Sequence, residues 1–481
     1  MAVCPPLSPR MICGASILAL GLAAGPALAE SIFTPASDEF TGDVRAGAAE
    51  QGAPLVKGGA ARVEGQGLVP GQTITLMRGT TVLNEGAPIT VDAEGKFSFD
   101  LTVDAGAATG LHPIVVIAEN PAAAEVVTLK VSPQVPVSGA ENFEIKDAKV
   151  TRGLYQVIYS PASDAVYVTS AVGRPPVRES ALVRIDPETL EIEAQATPPE
   201  APMPARAAPP AGGQDANDTR PALFATYGVA VDDENGHVWV TNTRQDTVAV
   251  YKQDDLSLVK QLEPGAVNHA RDVVVDEGRD RVYASSTMTG NIEVFDSKTL
   301  EKLDPIVIES AERGEDFSVM ALDVDPESGT LVTVSMTTDE LAVVDLGSGE
   351  VKVHPLPGAV RASGVAYDPK EDLAFVASQE TDNLLIVKAA TGEILHDVDT
   401  GAGALNVTFE PVSRLAFVAN RGAGTITAVG TDGKVVANID AGTYPNQLRA
   451  DGKGNVWAVN KSRGENDEEG DRIWKISPKA D

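Results

Sequence analysis

A four-residue strand motif returns seven times in this chain, and its spacing constrains the fold more than any other feature. The copies begin at Tyr167, Trp239, Tyr283, Leu331, Phe375, Phe417 and Trp457 and read YVTS, WVTN, YASS, LVTV, FVAS, FVAN and WAVN. The steps between them are 72, 44, 48, 44, 42 and 40 residues. Before each copy runs an alternating segment that ends in turn residues, such as YGVAVDD (227–233), SGVAYDP (363–369) and LNVTFEP (405–411). After each comes a third strand, such as TVAVYK (247–252) or NLLIVK (383–388). A small antiparallel sheet of this kind cannot bury both of its faces alone, so successive copies must stack on one another. A repeat of roughly 40–45 residues with four short strands is the signature of a β-propeller, here with seven blades.

Counting strands predicts how the ring closes. Six copies continue through a turn into a fourth strand, whereas the seventh runs out at RIWKIS (472–477). The segment NFEIKDAKV (142–150) alternates correctly just before the first inner strand. It is expected to supply the missing strand, which would remove the open sheet edge. Residues 142–481 are therefore assigned to the propeller. The long first step is explained by an inserted loop at 197–222, which carries seven prolines and no apolar periodicity.

The rest of the chain reads as four shorter pieces. Residues 1–29 have the form of an export signal: Arg10, a short apolar run over 12–25, and Ala27-Leu28-Ala29 before Glu30. Both cysteines, Cys4 and Cys13, lie inside it, so the mature chain is expected to lack disulfides and thiolate chemistry. Residues 30–59 read as a flexible leader, and 133–141 (PQVPVSGAE) as a linker. Residues 60–132 alternate as about six short strands, for example Phe97, Phe99, Leu101 and Val103 on one face, and predict an immunoglobulin-like β-sandwich. The expected location is the periplasm or outside the cell, with no transmembrane segment and a monomeric state.

The formal net charge is −31, and the signal contributes one Arg and no acid, so the mature chain is one unit more negative. Such a molecule repels phosphate backbones at long range, which disfavours bulk nucleic-acid binding. None of the five histidines stands at metal-ligand spacing to another, and no phosphate-binding loop, dinucleotide fingerprint or nucleophile elbow is present. No cofactor is expected.

The opening TRGLYQVIYSPASDAVYVTS (151–170), the hairpin ALVRIDPETLEI (181–192) and the ending TYPNQLRADGKGNVWAVNKS (443–462) resemble YncE-like proteins. These are exported seven-bladed propellers of the YVTN repeat family. The resemblance covers residues 142–481 and implies a periplasmic binding protein; nucleic-acid binding has also been proposed within the group.

Topology sharpens the search for a site. In a propeller, the loops that enter inner strands share one face with those joining second to third strands. Sorted this way, most turn carboxylates fall on the opposite, lower face, where Asp is ordinary turn chemistry. The upper loops are richer in Arg and Lys. A narrow mouth lined by Tyr155, Tyr227, His269, Arg271, Arg361, Asn406 and Asn446 is expected to bind a small anion, because Arg offers forked donors to carboxylate or phosphate. The acidic run Asp467, Glu468, Glu469 and Asp471 offers oxygen ligands but lacks the alternating spacing of a calcium loop. The leading expectation is a non-enzymatic binding or scaffold protein that docks a small anion or an envelope protein partner on this face. The alternatives are a metal-dependent propeller hydrolase or lactonase, and single-strand nucleic-acid binding by stacking on Tyr155 and Tyr227.

Overall fold

The computed structural model describes residues 42–202 and 220–479. The expected signal at 1–29, the first part of the leader and most of the inserted loop lie outside the described residues.

Seven four-stranded antiparallel sheets follow one another from residue 143 onward. Their inner strands are Leu154–Ser160, Val229–Asp232, Ala270–Asp276, Val319–Asp325, Ala362–Asp368, Ala404–Glu410 and Pro445–Ala450. Each packs on the next, and the last packs on the first, so the ring is closed. Burial grades outward within each blade. The second strand Ala165–Ala171 is buried along its whole length, whereas the outer strand Ile192–Ala196 is largely exposed.

The recurring large residue of the repeat is what glues neighbouring blades. All seven residues at that position are at most 3% exposed. Trp239 packs on Phe295 of the next blade at 5.7 Å between ring centroids, and Phe375 stacks on Phe409 at 4.8 Å. Trp457 of blade seven lies parallel to Tyr159 of blade one at 6.1 Å, across the seam of the ring. Loss of one such buried ring costs ~3–5 kcal/mol.

The closing strand is where the sequence put it. Phe143–Lys149 pairs antiparallel with Arg472–Pro478, from Phe143 opposite Pro478 to Lys149 opposite Arg472. Phe143 is buried and meets Phe417 of blade six edge-on at 5.9 Å. Arg472 pairs with Asp147, and Lys475 reaches across the seam to Glu188 of blade one at 2.6 Å.

A second feature ties the upper face together. Asp246, Asp339, Asp382 and Asp471 each stand just before a third strand in the left-handed region, at φ of 56°, 50°, 60° and 58°. Each carboxylate accepts a backbone N–H at the loop that enters the following blade. The donors are His269, Ala362, Gly403 and Gly153, at 2.7, 2.9, 2.6 and 2.8 Å. Charge-assisted bonds of this kind satisfy backbone groups that the turn would otherwise leave bare.

The small domain packs a three-stranded sheet on a five-stranded one around a single apolar core. It starts earlier than expected. Residues 43–48, expected to lie in a flexible leader, form the strand Asp43–Ala48 paired with Ala60–Gln66, and Leu55 is buried in the same core. This edge strand, DVRAGA, buries only Val44 fully, so it carries almost no alternation to read. The linker is fastened too. Ser138 pairs with Asn438 on the outer strand of blade six, and Gly139, at φ 71°, lies where a Cβ would come within 2.6 Å of the Val436 carbonyl oxygen. The small domain rests on blade five through Lys130, whose ammonium lies 2.6 Å from Asp382 and donates to the Gln379 carbonyl at 2.5 Å. Among the described residues no helix is long and apolar enough to cross a membrane.

Candidate functional site at the channel mouth

The inner strands stand close enough that two of them require glycine near the upper end. A Cβ on Gly228 would lie 2.4 Å from the Arg271 carbonyl oxygen, and one on Gly364 would lie 2.7 Å from the Asn406 Cα. The channel they enclose opens upward into a cavity of about 330 Å³.

Six of the seven residues expected at the mouth line this cavity: Tyr155, Tyr227, His269, Arg271, Asn406 and Asn446. Arg361 does not line it. It sits at the rim in the left-handed region, φ 63°, and its exposed side chain turns to Glu380 at 3.8 Å. Three cations from loops between second and third strands, outside the expected set, complete the lining: Arg244, Arg421 and Lys461.

Each cation is positioned by an identifiable partner. Arg244 donates from Nε to the Tyr227 hydroxyl at 3.0 Å. Arg421 donates to the Asn446 amide oxygen at 2.7 Å and lies over the Tyr444 ring at 4.9 Å. Arg271 donates to the Ser363 carbonyl at 3.3 Å. The Lys461 ammonium sits 3.0 Å from the centre of the Tyr155 ring, whose edge-to-face partner is Tyr227 at 3.9 Å. Among the described residues, none of these four cations forms a salt bridge with a carboxylate. Burial and the neighbouring Arg421 hold the Lys461 amine well below the ordinary lysine range. Burial likewise lowers His269, Arg271 and Arg421, and pushes the Tyr155 phenol up.

The one carboxylate in the lining, Asp272, is already committed. It accepts from Arg449 at 3.2 and 3.3 Å, from Gln156 at 3.1 Å and from the Leu322 N–H at 3.0 Å. Arg449 also faces Asp323 at 4.0 Å, further down the channel. Burial raises the Asp323 carboxyl to about 6 against the pull of Arg449. The channel is thus cationic at its mouth and charge-balanced below.

In the acidic run at 467–471, Glu468 and Glu469 are exposed and the two aspartates are used internally. Asp467 accepts from the Thr443 hydroxyl and from the Arg463 and Glu469 N–H groups, and Asp471 caps Gly153. Among the described residues no group of three or more His, Cys, Asp or Glu side chains is arranged to hold a metal ion. Two of the long upper loops meet through Arg152, which pairs with Glu179 at 3.5 Å and Glu465 at 3.2 Å.

A closed ring of four-stranded blades around a lined channel defines a β-propeller, and solved structures of that fold superpose on it. The WD40 repeats of RRP9 match at a TM-score of 0.53 and 8% identity, covering 72% of this chain and all of that one. The hydrazine synthase of Kuenenia stuttgartiensis matches at 0.51 and 15% identity, over 65% of this chain and 94% of that one. At such identities the likeness is one of fold. In sequence, YncE of Salmonella typhimurium is 24% identical over 329 residues, covering 63% of this chain and 82% of that protein. YncE of Salmonella typhi is 23% identical over the same extent. The chain is a β-propeller that is similar in sequence to YncE. No family model matches it.

Proposed function

We propose that the protein is a cell-envelope binding protein that holds a small anion, or the anionic tip of a partner, in the mouth of its propeller channel. One observation carries this reading: the guanidiniums of Arg244, Arg271 and Arg421 converge with Lys461 on a cavity of about 330 Å³ whose single lining carboxylate is tied to Arg449. Clustered like charges in a low-dielectric site repel one another, and a bound anion relieves that repulsion. Guanidinium groups held by a phenol, an amide and a carbonyl are oriented in advance, so little rotamer freedom remains to be lost on binding.

The other two functions expected from the sequence have less in their favour. Metal-dependent hydrolysis needs several free oxygen ligands at the mouth, and Asp272 has its lone pairs engaged. Stacking of bases needs open ring faces, and the Tyr155 ring already carries Lys461 at 3.0 Å and meets Tyr227 edge-to-face. The export signal expected at 1–29 supports an envelope location, and cell fractionation tests it directly.

The binding test is the double variant Arg271→Ala/Arg421→Ala. Native mass spectrometry of protein prepared from a periplasmic extract should show a small bound anion on the wild type and none on the variant. Equal occupancy of both would refute the assignment of the mouth.

A further inference from the structure

Lys461 is the feature that a plain anion pocket does not explain. An ammonium normally keeps water or an acceptor around its three protons. The Lys461 side chain is half-buried, and its nitrogen has no hydrogen-bond acceptor among the described residues. It meets the Tyr155 ring of blade one, which Tyr227 contacts edge-to-face. Arg244 of blade two and Arg421 of blade six flank it, and His269 and Arg271 line the same cavity. On its own loop Asp471 is the nearest carboxylate influence, but that carboxylate is bonded to the Gly153 N–H. Tyr444 lies beyond Arg421, and Asp272 is bound to Arg449. Burial and the two guanidiniums close by disfavour the charged form of this amine, against the pull of Asp471.

The rest of the lining sets the charge of the ligand. Arg244, Arg271 and Arg421 remain cationic, since guanidinium does not lose its proton in proteins. A monoanion would leave most of that charge uncompensated. We propose that the mouth takes a compact doubly charged oxyanion, a dicarboxylate or a phosphate monoester, and that each anion loads together with one proton. The inference rests on reading the mouth as an anion site. The step is balanced: a solvent proton joins the lone pair of the neutral Lys461 amine, and the resulting ammonium donates to an anion oxygen while the three guanidiniums engage the others. On release the anion leaves and the proton returns to solvent. The cavity of about 330 Å³ accommodates a compact oxyanion.

Titration calorimetry of the intact mature protein at mildly alkaline pH tests this. Sulfate serves as a dianion that does not itself titrate, acetate as a monoanion, and succinate and glycerol phosphate as the two ligand types. Sulfate is expected to bind at least about ten-fold more tightly than acetate, as befits added charge-assisted contacts. The tighter of succinate and glycerol phosphate identifies the source. The sulfate enthalpy, compared between buffers of different ionisation enthalpy, should report uptake of close to one proton. Lys461→Arg, permanently charged, should bind sulfate with no buffer dependence. Lys461→Gln should lose the buffer dependence and roughly ten-fold in affinity, with thermal melting confirming that both variants fold. Acetate binding as tightly as sulfate would overturn the dianion assignment while leaving an anion site. Sulfate binding without proton uptake in the wild type would overturn the proton step. If no anion bound, or if Arg271→Gln/Arg421→Gln bound as well as the wild type, the underlying reading of the mouth would fall as well.

Discussion

Substituting Phe143 by Ala tests the closure of the ring at a single side chain. Phe143 opens the strand that completes blade seven, is 4% exposed, and contacts Phe417 edge-on at 5.9 Å. Truncation removes its buried ring and leaves a cavity between blades six and seven, a loss of ~3–5 kcal/mol. The same residue anchors one end of a ladder that continues from Glu144 to Lys149 along Arg472–Pro478. Weakening that end favours fraying of the strand and exposes an unpaired sheet edge. At this domain size the loss corresponds to a fall of roughly 4–7 °C in Tm. Differential scanning calorimetry measures the fall, and hydrogen exchange should show faster exchange of the amides in 472–478. Val307→Ala is the control, because Val307 is 57% exposed on the outer strand of blade three. If Phe143→Ala melted within about 1 °C of the control with unchanged protection at 472–478, the closing strand would not be holding the ring.

Two further outcomes follow from buried charges. Lys130→Met removes the cation that spans from the small domain to Asp382, whose side chain is 2% exposed. The loss of about 1–3 kcal/mol at the domain contact should appear as faster proteolysis at 133–138, and unchanged cleavage would refute the role of the pair. Asp323 is easier to keep protonated in the fold than in the unfolded chain, because burial lifts it from 3.8 to about 6. A raised carboxyl favours the folded state only while it is protonated, so stability is lost as pH rises from about 4 through about 6. The Tm of Asp323→Asn should therefore gain on the wild type across that window, and parallel pH profiles would contradict the burial of the charge.

How much of this was legible depended on whether a residue belongs to the repeat. The inner strands, the large buried residue of each second strand and the closing strand all follow from alternation plus a fixed period, and both signals survive in a single sequence. Six mouth residues were legible because they stand at or near the start of inner strands, where topology alone sets their height. Arg361 stands at a similar place, in the same left-handed region as His269, and still misses the cavity because its side chain turns to Glu380 at the rim. Lys461 and Arg244 lie in loops between second and third strands, whose reach over the channel depends on loop path and not on periodicity. The four capping aspartates do carry a signal, an Asp immediately before the third strand, which is visible only once the strands are aligned. The edge strand at 43–48 carries almost none.

The central claim is that an anion sits in the channel mouth. Crystals of the mature protein soaked in selenate, a dianion with a strong anomalous signal, test it most directly. The account predicts an anomalous peak within hydrogen-bonding distance of Arg271, Arg421 and Lys461, lost in Arg271→Ala/Arg421→Ala. Peaks confined to the outer surface of the propeller, with none at the mouth, would contradict it.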